Sequence, residues 1–135
     1  MNAPFKPVST DVNGGTSIAR YLRDLFADHG FDREHVHAIF LGARRQFVGE
    51  HFFEGGGVAA MRLRAREIIE GALRRGATGI IISHNHPSGD CRPSTRDIQS
   101  TQRLSQIAGS LDIELLDHLI ITRKRAYSMR ARGLL

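Results

Sequence analysis

Apolar residues recur at helical spacing in three stretches of this chain, and short β-branched or aromatic runs lie between them. Ile18, Tyr21, Leu22, Leu25 and Phe26 form one stripe of a helix beginning near Thr16, and Gly30 ends it. His35 to Leu41 and Arg45 to Phe53 have strand composition, with a turn at Gly42-Ala43. After the break at Gly55-Gly56-Gly57, Met61 to Arg75 places Leu63, Ile68, Ile69, Ala72 and Leu73 on a second stripe closed by Gly76. Ala77 to Ser83, centred on three isoleucines, reads as a buried strand. His84 to Pro93 is a turn-rich loop, and a helix from about Thr95 to Ser110 follows with Ile98, Leu104, Ile107, Ala108 and Leu111 as its buried set. Glu114–Leu116, His118–Thr122 and Ala126–Ser128 complete the strands. The order β-β-α-β-α-β-β after the first helix predicts an α/β (α+β) fold, a mixed central sheet flanked by helices.

Length and composition narrow the class. The chain has 135 residues, enough for one core, so residues 16–135 read as a single domain behind a loose Pro/Ser/Asn/Gly tail, 1–15. No run reaches the ~18 apolar residues of a membrane span, and Met1 to Gly15 lacks the pattern of a secretory signal. With one cysteine, Cys91, no internal disulfide forms, and a reducing cytoplasm is the expected compartment. The net charge of +5 and the arginine clusters at 44–45, 62–66, 74–75 and 123–125 attract polyanions, so nucleic acid enters as a partner class. No aromatic-interleaved or helix-turn-helix pattern accompanies the charge, and a solvated basic face is the plainer reading.

The chemistry concentrates between His84 and Asp97. On an extended backbone His84 and His86 project from one face while Asn85 points away. A Pro-Ser-Gly turn then returns the chain to Asp97 at a helix start. Two imidazoles and a carboxylate suit Zn2+ and leave a fourth, water-bearing position open, as in catalytic rather than structural zinc sites. Each part has a plainer meaning: a His-x-His pair is commonly structural, and Ser94-x-x-Asp97 is a capping box. The whole string arises by chance in roughly one chain of this length in several thousand. Neither His-x-Glu nor Pro-Cys-x-x-Cys is present, which excludes a zinc deaminase. Among other residues, Cys91 reads as a loop thiol, the alternative being a fourth ligand that would close the open site, and His118 as a strand histidine or a partner orienting a ligand.

His84-x-His86, seven residues, then Ser94-x-x-Asp97 resembles the JAMM motif of JAB/MPN metalloproteases. His84-Asn85-His86-Pro87-Ser88-Gly89-Asp90 and Leu115-Leu116-Asp117-His118 are similar to the bacterial RadC-type branch, historically labelled a DNA repair protein. The resemblance runs from about His35 to the C-terminus and implies a three-layer sandwich with one zinc ion and its water on His84, His86 and Asp97. It also implies a hydrolase of peptide or isopeptide bonds, with Ser94 donating to the oxyanion. Glu50, five residues before Gly55, stands where the family's upstream glutamate is expected and becomes the general base; Glu54 shares its strand face. A DNA-processing role or a metal-binding scaffold without turnover are the alternatives. The family's helix start His-Pro-Arg-Glu is replaced here by Arg64-Ala65-Arg66-Glu67; a helix-hairpin-helix-like region usually precedes the family's metal domain, and about thirty residues precede it in this sequence.

Overall fold

The computed structural model describes residues 17–53 and 61–135. The expected tail, Glu54 and the glycine run 55–57 lie outside the described residues, as does the side chain of Leu63. The elements are α1 (Ser17–His29), β1 (Val36–Leu41), β2 (Phe47–Phe53), α2 (Met61–Arg74), β3 (Gly79–Asn85), α3 (Thr95–Gly109), β4 (Glu114–Ile121) and β5 (Ala126–Ser128). The two segments expected around Asp117 are one continuous strand, β4. The five strands form one mixed sheet in the order β2-β1-β3-β4-β5. Only β3 and β4 run parallel, and α3 is the crossover that a parallel pair requires.

Helices cover both faces, giving three layers. Alternation along the strands assigns each side chain to a face. Val36, Ala38 and Phe40 of β1 and Ile80 and Ile82 of β3 pack under α2 and α3 with Ile68, Ala72, Leu104 and Ala108. Ile39, Leu41 and Ile81 point the other way and meet Ile18, Leu22 and Phe26 of α1. A bulge at Leu116 changes the phase of β4. Leu115 pairs with Ile80, yet Asp117 pairs with Ile81 and His118 with Ile82. His118 therefore faces α2 and α3 instead of α1.

The expected buried stripes are rotated at three positions. Leu73 is 57% exposed, Ile107 38% and Leu111 46%. On α3 the buried row is Asp97, Thr101, Leu104 and Ala108, polar in its first half and apolar in its second. Tyr21 is also exposed; its hydroxyl lies 2.7 Å from each Glu50 oxygen and gives its one proton to that carboxylate. Gly76, in the left-handed region at φ 62, ends α2 by letting the Ala77 N–H reach back to the Ala72 carbonyl. Asp112 does the same at the end of α3 with φ 59, where the Ile113 N–H bonds the Ala108 carbonyl. No described helix is long and apolar enough to cross a membrane.

Two measurements check this architecture. Phe40 is fully buried between the sheet and α2, so Phe40→Ala should lower the unfolding free energy by about 3–5 kcal/mol in denaturant titration; a change below ~1 kcal/mol would place it outside the core. Burial and then the Glu50 carboxylate push the Tyr21 phenol from 10.0 up to about 12. The folded chain then keeps a proton that the unfolded chain releases, so this contribution to stability is intact below pH 10 and fades as pH rises toward 12. The phenolate absorbance of the wild type minus Tyr21→Phe should have its midpoint near pH 12.

Candidate metal centre

The C-terminal end of β3 carries the site. His84 is fully buried on the face covered by α2 and α3, opposite Val36 of β1. The ladder continues one residue past the strand, because the His86 N–H bonds the Ile121 carbonyl at 3.1 Å. That bond keeps the backbone extended, so both imidazoles project to the same side. Asn85, turned the opposite way, accepts from the His35 N–H at 2.7 Å and donates to the Arg33 carbonyl at 2.9 Å. Its amide thus clamps residues 33–35 alongside residues 84–86. The Gly89 N–H then closes a turn onto the His86 carbonyl.

Asp97 arrives from the other direction. Ser94 caps α3: its hydroxyl oxygen accepts from the Asp97 N–H at 3.0 Å, and Asp97 Oδ2 accepts from the Ser94 N–H at 2.8 Å. This reciprocal box holds the carboxylate over the strand end. Asp97 Oδ2 lies 3.3 Å from His86 Nε2 and 3.7 Å from His84 Nε2, and the two Nε2 atoms are 2.9 Å apart. All three candidate ligand atoms lie within 4.8 Å of one another.

The electrostatics follow from burial and this convergence. Burial pushes the His84 imidazole down, against the opposing pull of Asp97. His86, half-buried, is pushed up, chiefly by its contact with Asp97. Burial would raise the Asp97 carboxyl, but its contacts with His84, His86 and the Ser94 N–H outweigh that and hold it well below the usual carboxylate range. Two ring nitrogens 2.9 Å apart repel unless a proton or a cation lies between them. The donor set of two imidazole nitrogens and one carboxylate oxygen fits a divalent metal, and among the described residues no fourth protein ligand joins the cluster. Cys91, in the loop below, is not part of it.

Of the residues expected at the site, the structure brings together His84, His86, Asp97 and Ser94 but not Glu50. Glu50 pairs with Ile39, whose side chain packs against α1, while His84 pairs with Val36 on the other face. The Glu50 carboxylate is engaged by Tyr21 and, at 3.1 Å, by His37 Nε2. The sheet itself separates it from the cluster.

A different acid, Glu34, lies near the cluster. Continuing the β1–β3 register from Val36 opposite His84 sets Glu34 opposite His86, on the metal-facing side. Its charge acts on both His84 and His86, more weakly than that of Asp97. Glu34 is half-buried, and the Asn85 clamp fixes the backbone on either side of it. The signal in the sequence was an acid two residues before the strand run 36–41, but it meant nothing until that run was known to pair antiparallel with 79–85.

Two further features frame the centre. His118 of β4 and Thr101 of α3, both fully buried, stand behind His84. On the outer side, a cavity of about 390 Å³ borders His86 and is lined by Phe31, Ser88, Arg123, Lys124 and Arg125. The Arg123 guanidinium lies 5.2 Å over the Phe31 ring.

The family model of the RadC-like JAB domain matches residues 12–134. The chain is similar to the UPF0758 protein CT0611 of Chlorobaculum tepidum, 36% identical over 92% of this chain and 55% of that protein. It is 40% identical to the UPF0758 protein STH371 of Symbiobacterium thermophilum over 98% of this chain and 55% of the relative. To the UPF0758 protein BAV2405 of Bordetella avium it is 41% identical, over 76% and 45% respectively. The chain spans about half the length of these curated relatives. With a match covering nearly all of its residues and the motif folded into one cluster, this chain belongs to the RadC-like JAB domain family.

Proposed function

We propose that this domain is a zinc-dependent hydrolase of peptide or isopeptide bonds, with the metal held by His84, His86 and Asp97. The observation that carries the reading is the meeting of two Nε2 atoms and one carboxylate oxygen at a buried strand end, with a second acid alongside. Borderline-soft nitrogen donors with one carboxylate favour zinc over magnesium or calcium, which prefer all-oxygen cages. When bound there, the cation would supply Lewis acidity, lowering the pKa of a bound water to about 7 and polarising a carbonyl.

The chain's own groups do the rest. Glu34 accepts a proton from the attacking water and passes it to the departing nitrogen, which an amide needs because its anion leaves poorly. Ser94 uses its oxygen lone pair in the helix cap, so its own proton stays free to donate to the oxyanion. Asp97 is oriented by the cap and stays ionised, as a ligand must. The cationic cavity beside His86 favours a substrate with an acidic side chain next to the scissile bond.

A nucleic-acid partner is the second reading, and the same hairpin of Arg123, Lys124 and Arg125 favours it. Its mark would be DNA affinity falling steeply with salt; affinity insensitive to salt would dismiss it.

Purified protein should hold about one zinc per chain, measured by elemental analysis, and Asp97→Asn should hold much less. Hydrolysis of a peptide and isopeptide library by zinc-loaded protein should fall by roughly 10²–10⁴-fold in Glu34→Gln with zinc retained. The same assay should be indifferent to Glu50→Gln. If Glu50→Gln abolishes turnover and Glu34→Gln does not, the assignment of the base is reversed. Ser94→Ala should lose about 1 kcal/mol of stability through its cap in denaturant unfolding, besides slowing turnover.

A further inference from the structure

A buried line of hydrogen bonds runs behind the candidate metal ligands and ends on His84. Thr101 Oγ1 lies 2.6 Å from the Asp97 carbonyl and 2.6 Å from His118 Nδ1, and His118 Nε2 lies 2.6 Å from His84 Nδ1. Thr101, His118 and His84 are each fully buried, so no solvent mediates these contacts. Their proton directions can be derived. A carbonyl oxygen only accepts, so the single hydroxyl proton of Thr101 must go to Asp97. Thr101 Oγ1 is then an acceptor, and His118 Nδ1 must carry a proton to meet it. His118 is fully buried and its two ring partners, the Thr101 hydroxyl and the His84 ring, include no acid to pair with a charge, so it carries a single ring proton and its Nε2 is bare. A bare Nε2 requires the proton of His84 on Nδ1. His84 Nε2 is then an unprotonated lone pair, and it is this nitrogen that faces His86 and Asp97. The opposite order would put a proton on His84 Nε2 and leave two oxygens 2.6 Å apart with none between them.

We infer that Thr101 and His118 are positioning residues that lock His84 in the one tautomer able to offer Nε2 to a metal, before any metal arrives. His86 is set independently, since its Nδ1 can only donate to the Asp90 carbonyl at 2.8 Å. The line starts from the backbone of Asp97, the third ligand, so the turn of α3 that presents the carboxylate also fixes the proton order of a histidine on β3. The purpose of this device rests on the metal reading above; its existence does not.

The test begins on the metal-free wild-type chain with ¹⁵N-labelled histidine. Long-range proton–nitrogen correlation spectra should show His84 and His118 both protonated at Nδ1 and bare at Nε2. A proton on His84 Nε2 would overturn the inference. Zinc affinity by chelator competition is the second arm. Thr101→Val keeps the shape but removes the acceptor, and should weaken zinc binding by about 10–100-fold, with His84 losing its single tautomer in the same spectra. Thr101→Ser keeps the hydroxyl and should bind zinc as the wild type does. Equal affinity in Thr101→Val and the wild type would overturn the positioning role. Should Thr101→Val not fold, the wild-type spectrum alone decides. Absence of zinc binding by the wild type would defeat the metal reading, while the spectra would still confirm or refute the proton order.

Discussion

The register of β1 against β3 is the constraint on which the site depends. Val36 opposite His84 puts that imidazole under α2 and α3, and two residues further on the same register brings Glu34 to His86. A strand's side chains alternate strictly, so slipping the pair by one residue would turn His84 toward α1. The register is secured by both faces at once, since Val36, Ala38, Phe40, Ile80 and Ile82 belong to one core and Ile39, Leu41 and Ile81 to the other. The Asn85 amide extends it beyond the end of β1 by bonding both the N–H of His35 and the carbonyl of Arg33.

Around that register, the polar groups of the centre are buried without being left unsatisfied. An unpartnered amide or hydroxyl in such a place costs roughly 2–7 kcal/mol, which is why the arrangement is tightly interlocked. Asp97 serves the helix cap and faces two imidazoles with the same oxygen. Thr101 links the carbonyl of Asp97 to His118, and Asp117 accepts from the Ser128 hydroxyl and the Arg130 N–H on the opposite face of the same strand. The bulge at Leu116 is what allows neighbouring residues of β4 to serve both ends. It sends Asp117 toward α1 and His118 toward the centre. The polar half of α3 thus completes the site while its apolar half, Leu104 and Ala108, closes the core.

Local patterns carried much of this into view from the residues alone. Helix and strand order, the glycine stops at Gly30 and Gly76, the capping box and the ligand trio are all short-range features, with partners separated by fewer than fifteen residues. The rotation of α3 was not legible in the same way. Its buried row includes Asp97 and Thr101, which a count of apolar positions passes over, and it leaves out Ile107 and Leu111. Periodicity identifies an apolar stripe, but the neighbouring layer decides where the stripe is centred.

The sequence by itself determined which atoms can bind a cation, because His84, His86 and Asp97 are tied together by one strand end, one rigid turn and one helix cap. Only the tertiary structure decided which glutamate stands beside them and which residues sit behind. Glu34 is fifty positions from His84 and His118 thirty-four, and no spacing rule reaches across those intervals. Strand pairing, register and one bulge do, by choosing which face of a shared sheet each side chain occupies.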